Sequence, residues 1–270
     1  MNTFIELSNI RVLYALISKD LYVMRTKMKD ICINGIVLTL CQTALFGIFF
    51  PQIGMPEKLV ASIYLGTVTN LIFSLNNALA VRILFDVHRV HFIEYQMVLS
   101  INTMWLLASY ILSMMIEIIL SSIPSIVFGF LLLQSYIDLY AIRIIPFIGI
   151  YLLSLACLST FFLSMCIRYP FTWYLDNIWP RRFLLLINCG CVFFPWFNVY
   201  NVSPTLGYLL LCNPVTYISE GLRAAALPHT QTLPLWICAA VLLSLMPFLI
   251  LLLYKSAQKQ LDPVFEQGKL

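Results

Sequence analysis

Four residues able to ligate a metal or carry a proton fall close together at Asp86, His88, His91 and Glu94. On a helix, His88 and His91 lie three apart and share a face with Glu94 and Tyr95, which resembles a ligand set. A closed metal site also needs donors from a second segment, and the 168–182 loop offers only Asp176. The same stretch supports another use. Residues Arg82–Gln96 form a polar interruption between two apolar runs, yet carry Ile83, Leu84, Phe85, Val87, Val90, Phe92 and Ile93. An apolar plug with charged flanks suits docking on another protein, while a turn lying on lipid headgroups is the plainer alternative.

Glu117 is the only carboxylate deep inside an apolar run. An uncompensated charge at such a position costs about 2.5–3.5 kcal/mol, so it must face an interior, a cavity or a partner. It can line a transport route, carry a proton, or hydrogen-bond to Ser113, Ser121 or a neighbouring helix. Gln42, Asn70, Asn76 and Asn77 fit interhelical hydrogen bonds in the same way.

Glu220 and Arg223 stand three apart in a further helix signalled by Asn213 as cap and Pro214 as first residue, and stopped by Pro228. Val215, Ile218, Leu222 and Ala225 make one face; Thr216, Ser219, Glu220 and Arg223 make the other. At roughly 20 Å this helix is too short to cross a bilayer. Ser203-Pro204 repeats the device and launches a helix of about nine residues. The two together, within 201–230, look like a re-entrant or interfacial hairpin.

No phosphate-cradling Gly-rich loop ending in Lys-Ser or Lys-Thr is present, and no Gly-x-Ser-x-Gly elbow, so neither an ATP site nor an enzyme is expected. The eight cysteines lie in or beside apolar runs, and Cys189-x-Cys191 alone makes neither a disulfide framework nor a zinc site.

These residues require a membrane scaffold. The chain is 61% hydrophobic and 10% charged, against about 25% charged in soluble domains. The net charge of +4 resides in short loops and does not imply nucleic-acid binding. Six spans are expected: Ile31–Phe50, Leu59–Val81, a third from Thr103 to Leu133, Ile142–Ile167, a fifth from Phe183 into Phe193–Phe197, and Leu235–Tyr254. As one helix the third would measure about 46 Å, so strong tilt or a break near Pro124 is expected. With the N-terminus inside, the cytoplasmic side holds Arg11, Lys19, Arg25, Lys27, Lys29, Arg82, Arg89, Arg168, Arg181, Arg182, Lys255, Lys259 and Lys269. The outer side holds Lys58, Arg143 and Arg223. That bias places both termini in the cytoplasm. Ile10, Leu13, Tyr14, Ile17, Leu21, Met24 and Met28 stripe one face of residues 1–30, as in a helix lying on the inner leaflet or on a cytoplasmic partner.

This layout resembles the membrane subunit of an ABC-2 type exporter, the permease family of polysaccharide, teichoic-acid and drug efflux systems. The resemblance rests on the interfacial helix, the six spans and the interruption at Arg82–Gln96. It rests also on a motif of the form Asn-Pro-x-Thr-Tyr…Arg, here Asn213-Pro214-Val215-Thr216-Tyr217 and Arg223. It implies an all-α fold with a transmembrane domain over 31–254 and a cytoplasmic tail over 255–270. A coupling helix within 82–96 would use Asp86, Val87, His88, Arg89, His91, Phe92 and Glu94. An outer gate would be built on Ser203, Pro204, Asn213, Pro214, Tyr217, Glu220 and Arg223. The implied partners are a second copy of the permease and two ATPase subunits that bind ATP and Mg in trans; this chain would bind no cofactor. The implied place is the bacterial inner membrane and the implied cargo a lipid-linked glycan, polysaccharide, lipid or hydrophobic drug. A proton-coupled secondary transporter using Glu117 is the alternative. At His88-Arg89-Val90-His91-Phe92 the chain departs from the acidic, Arg-rich and Leu-rich run expected after Asp86.

Overall fold

Apolar segments at membrane depth must close their backbone hydrogen bonds internally, which selects helices. The structure, a computed structural model, describes residues 56–90 and 103–267, together with parts of 13–54, and these are helical with no strand among them. Helix α1 (Glu57–Phe85) runs straight on into a π-helical turn, Asp86–Val90. Helices α2 (Thr103–Leu132) and α3 (Ile144–Arg168) follow. Helix α4 joins three consecutive stretches, Phe171–Trp173, the π-helical Tyr174–Phe183 and Leu184–Asn188. Three short helices come next: α5 (Trp196–Val202), α6 (Pro204–Leu210) and α7 (Pro214–Ala226). Helix α8 (Leu235–Gln267) is the last described element.

Among the described residues four stretches are long and apolar enough to cross a membrane: Leu59–His88, Thr103–Leu132, Ile144–Arg168 and Leu235–Lys259. The expected first span, Ile31–Phe50, and the expected helix over 1–30 fall largely outside the described residues. The fifth expected span is corrected. Its helix begins after Pro170, not at Phe183, and stops at Asn188. Asp176, Pro180, Arg181 and Arg182 depress hydropathy over its first half and hide it from a sliding window. Gly190 and a left-handed Cys191 (φ 52°) then turn the chain. Helix α4 packs beside α1. Tyr174 donates to Asn77 Oδ1 at 3.1 Å, Phe183 meets Phe73 edge-on at 5.9 Å, and the Val192 carbonyl abuts Gly66.

Helix α2 continues through Pro124 without a break, so of the two alternatives expected there, strong tilt or a break, the break is absent. Just before that residue, the Ser121 and Ser122 hydroxyls donate to the Glu117 and Ile118 carbonyls at 2.6 Å, and just after it Tyr64 donates to Ile126 O at 3.1 Å. Helix α8 does not yield to a tail at residue 255 but remains helical to Gln267.

Lipid is as apolar as leucine, so packing and hydrogen bonds, not hydrophobicity, hold such helices together. Phe73, Phe162 and Phe183 form an edge-to-face cluster joining α1, α3 and α4, with Phe162 at 4.9 Å from each of the other two rings. Each such pair is worth about 0.5–1.5 kcal/mol beyond area burial. Polar ties run beside it: Ser159 donates to Asn76 Oδ1 at 2.9 Å, and Cys157 to Leu242 O at 3.5 Å.

Contacts sort the helix ends into two groups. At one end a ring nitrogen of His88 meets Tyr169 O at 3.0 Å, Tyr169 stacks on Trp173 at 4.7 Å, and Arg182 lies over Trp173 at 5.3 Å. Arg168, Lys255 and Lys259 line one cavity at this same end. At the other end Arg143 N donates to Ala225 O at 3.0 Å and Arg223 Nε to Ser62 O at 2.9 Å. Arg168, Arg182, Lys255 and Lys259, all expected on the inner side, therefore gather at one end, with Arg143 and Arg223 at the other.

Candidate functional site

Helix α7 starts where its sequence dictates. Asn213 Oδ1 accepts from Val215 N at 3.0 Å, Pro214 occupies the first position, and Asn213 Nδ2 donates to Leu186 O at 2.7 Å. The cap thus serves two elements: it begins α7 and holds the last turns of α4. Ser203 precedes Pro204 likewise, but its side chain makes no capping bond, and α6 is seven residues long.

The polar face of α7 is not turned to water or headgroups. Thr216, Ser219, Glu220 and Arg223 are all buried, as are Val215, Ile218 and Leu222. The two faces divide by residue type as expected, yet both are buried, and the bonding explains why. Between Asn188 and Trp196 the chain leaves the helix, so its carbonyls lack intrahelical donors. The polar stripe of α7 supplies them. Ser219 Oγ donates to Gly190 O at 2.8 Å, while Thr216 Oγ1 donates to Leu210 O, at the end of α6, at 2.8 Å. Arg223 carries the largest share. Its Nη1 donates to Cys191 O at 2.6 Å, to Phe194 O at 3.3 Å and to Glu220 Oε1 at 2.9 Å; Nη2 donates to Val192 O at 2.7 Å. With the Nε bond to Ser62, one guanidinium joins α1, the 191–194 loop and α7.

Glu220 completes the arrangement. Oε1 also accepts from Trp196 N at 2.9 Å, so an anion sits at the start of α5, and Oε2 accepts from Leu233 N at 3.4 Å in the approach to α8. Trp196 Nε1 donates to Gly207 O at 2.8 Å and ties α5 to α6. Burial pulls the Arg223 pKa below its ordinary value, and Glu220 beside it opposes that pull. Burial pushes the neighbouring Cys191 thiol up to about 12, so this cysteine is an inert packing group, as its sequence context implied. Tyr217 is half-buried against the core. Sequence reasoning missed Ser62, Cys191, Val192 and Phe194 because they act through backbone carbonyls, which leave no mark on residue type.

The other end holds a second ion pair. Both oxygens of Glu117 accept from Arg82, Nη2 at 2.9 Å and Nη1 at 3.2 Å. Neither Ser113 nor Ser121 binds this carboxylate: Ser113 donates to Asp20 Oδ2 at 2.9 Å and Ser121 to a backbone carbonyl. A fork-to-fork pair of this kind clamps α1 to α2. Arg82→Ala, leaving Glu117 nearly buried and unpaired, is expected to lower stability by about 1–3 kcal/mol, less than for a fully buried pair because Arg82 is half-exposed. Thermal unfolding in detergent checks this. Arg82→Gln with Glu117→Gln should be milder than Arg82→Ala alone; equal loss would discard the clamp.

The 82–90 part of the expected coupling helix belongs to α1 and its π-helical extension. Asp86 is half-buried, Val87 is 3% exposed, and His88 is engaged with Tyr169. Val87 is thus a core residue and offers no docking surface. Arg89 continues the same turn; His91, Phe92 and Glu94 lie outside the described residues. Among the described residues no three ligating side chains come together as a metal site.

Comparison with protein-family models, with curated proteins and with solved structures finds no match to this chain. The site and the membrane-type helices are therefore the ground for a functional conclusion.

Proposed function

We propose that this chain is the membrane permease subunit of an ATP-driven exporter, working as a pair with separate ATPase subunits. The observation that carries the reading is the broken-helix layer at one end, α5 to α7, laced to the crossing helices by Glu220 and Arg223. Irregular backbone at membrane depth is tolerated only where protein or a water-filled cavity covers it. Here α7 covers it, which is what a closed outer gate requires. The opposite end gathers Arg82, Arg168, Arg182, Lys255 and Lys259, the charge asymmetry of a cytoplasmic face. Both termini would then be inside, with the coupling surface formed by residues beyond Val87.

Opening requires that a second state repack what the Arg223 guanidinium now joins, and a partner must supply the differential contacts that favour that state. A motor gripping the His88–Glu94 region is suited to this, since His88 is bonded to the turn that launches α4. The alternative is a secondary transporter with Glu117 as proton site. That use would have to break the two-point contact with Arg82 on each cycle.

Purification from the native host under mild detergent tests the reading. An ATP-hydrolysing subunit is expected to co-elute and to be lost on charge reversal at Arg89 or truncation of Phe92. Transport driven by a proton gradient, with no such subunit bound, would reject it.

A further inference from the structure

A cavity of about 760 Å³ lies between α3 and α8 at the basic end. Its origin is a mismatch of helix lengths. Tyr169 precedes Pro170 and is held extended (φ −117°, ψ 140°), so α3 stops at Arg168. Helix α8, its closest neighbour, continues to Gln267. Among the described residues the flank of α8 has no facing helix beyond Arg168, and the space between them opens.

Its walls divide by chemistry. Arg168, Lys255 and Lys259 are exposed and line it together with Tyr169, while Phe248 and Leu251 form an apolar wall one to two turns deeper along α8. Lys255 and Lys259, four apart, lie on one helix face. Among the described residues no carboxylate pairs with any of the three cations, unlike Arg82 and Arg223. The carbonyl end of α3 opposes an anion there, but a dipole equivalent to about half a charge is outweighed by three full positive charges.

We propose that this cavity binds the phosphate headgroup of one anionic phospholipid from the inner leaflet, with the upper acyl segments against Phe248 and Leu251. Three cations at headgroup level above an apolar wall match an amphipathic anion, whereas a free phosphate would leave the wall unused. The volume lies within the range of small-molecule sites. The lipid would stay as a resident wedge filling the gap left where α3 ends. The inference requires only that the chain sits in a bilayer with its basic end at the inner leaflet, so it stands or falls separately from the exporter reading.

Native mass spectrometry of the full chain, with any subunit that accompanies it, provides the test. The probes are phosphatidylglycerol, phosphatidylcholine and inorganic phosphate, each added to protein in a neutral detergent. One phosphatidylglycerol per chain should persist where phosphatidylcholine is lost. Each neutralised cation should weaken binding about fivefold, so Arg168→Gln with Lys255→Gln and Lys259→Gln should weaken it on the order of 100-fold. Should the triple variant fail to fold, Lys255→Gln with Lys259→Gln is expected to give about 25-fold. The paired lysine-to-arginine variant should bind as the parent does. Equal retention of the two lipids, unchanged binding in the glutamine variants, or equal occupancy by inorganic phosphate would overturn the proposal.

Discussion

Arg223→Ala is expected to prevent the folded protein from accumulating. The guanidinium is fully buried and donates to Ser62, Cys191, Val192 and Phe194 carbonyls and to Glu220. Removing one partner of a buried ion pair costs about 3–5 kcal/mol because the remaining charge is stranded. Each buried carbonyl left without a donor adds about 1–3 kcal/mol. Whole domains are stable by only about 5–15 kcal/mol, so the loss is comparable with the total. A polar residue on a surface helix would instead cost a few tenths of a kcal/mol. Gel filtration in detergent and thermal unfolding separate these outcomes, and a monodisperse alanine variant with unchanged unfolding would show that the guanidinium is not what holds the loop.

A companion variant asks which part of the arrangement matters. If charge pairing were the whole effect, Glu220→Gln with Arg223→Met would restore stability, since apolar replacement of a buried pair is often neutral. The carbonyls of the 191–194 loop remain orphaned in that double variant, so little rescue is expected. Arg223→Lys should fall between parent and alanine, because an ammonium has three donors and cannot span acceptors on α1, the loop and α7 at once.

How much of this was legible beforehand depends on where the signal resides. The start of α7 was readable from Asn213-Pro214, since capping and a proline first residue are local chemistry. The Glu220–Arg223 pairing was readable from spacing. What the pair faces was not. An amphipathic pattern states that one face is polar, and water or backbone carbonyls satisfy a polar face equally well. Helix α4 was misplaced by twelve residues because Asp176, Arg181 and Arg182 resemble a loop in a hydropathy window. Only the contacts of Tyr174 with Asn77 and of Phe183 with Phe73 show that they belong to a helix packed beside α1. Glu117 was correctly placed in need of a partner. Arg82 escaped notice because it is 35 positions away and was counted as a loop charge.

Gly66→Ala is the second substitution expected to have a large effect, and the reason lies on the other side of the same loop. A Cβ at residue 66 would sit 1.5 Å from Val192 O, 2.6 Å from Val192 C and 2.7 Å from Arg223 Nη2. None of these can withdraw cheaply: Val192 is backbone, and its carbonyl is bonded to Arg223 at 2.7 Å. Overpacking usually costs about 1–3 kcal/mol where side chains can shift, and here the obstacle is a tethered main chain, so the loss should reach or pass the top of that range. The other helix glycines grade the expectation. At Gly129 a Cβ would meet the Tyr64 hydroxyl at 2.0 Å, a side-chain tip with some freedom to tilt, so an intermediate loss is expected. At Gly149 nothing lies within 4 Å, and alanine there should gain about 0.5–1 kcal/mol from helix propensity alone. Ranking the three variants by melting temperature checks the close approach of α1 to the 189–195 loop without reference to any transported molecule. Should Gly66→Ala melt with Gly149→Ala, the loop does not rest against α1, and the place of Arg223 between them would have to be redrawn.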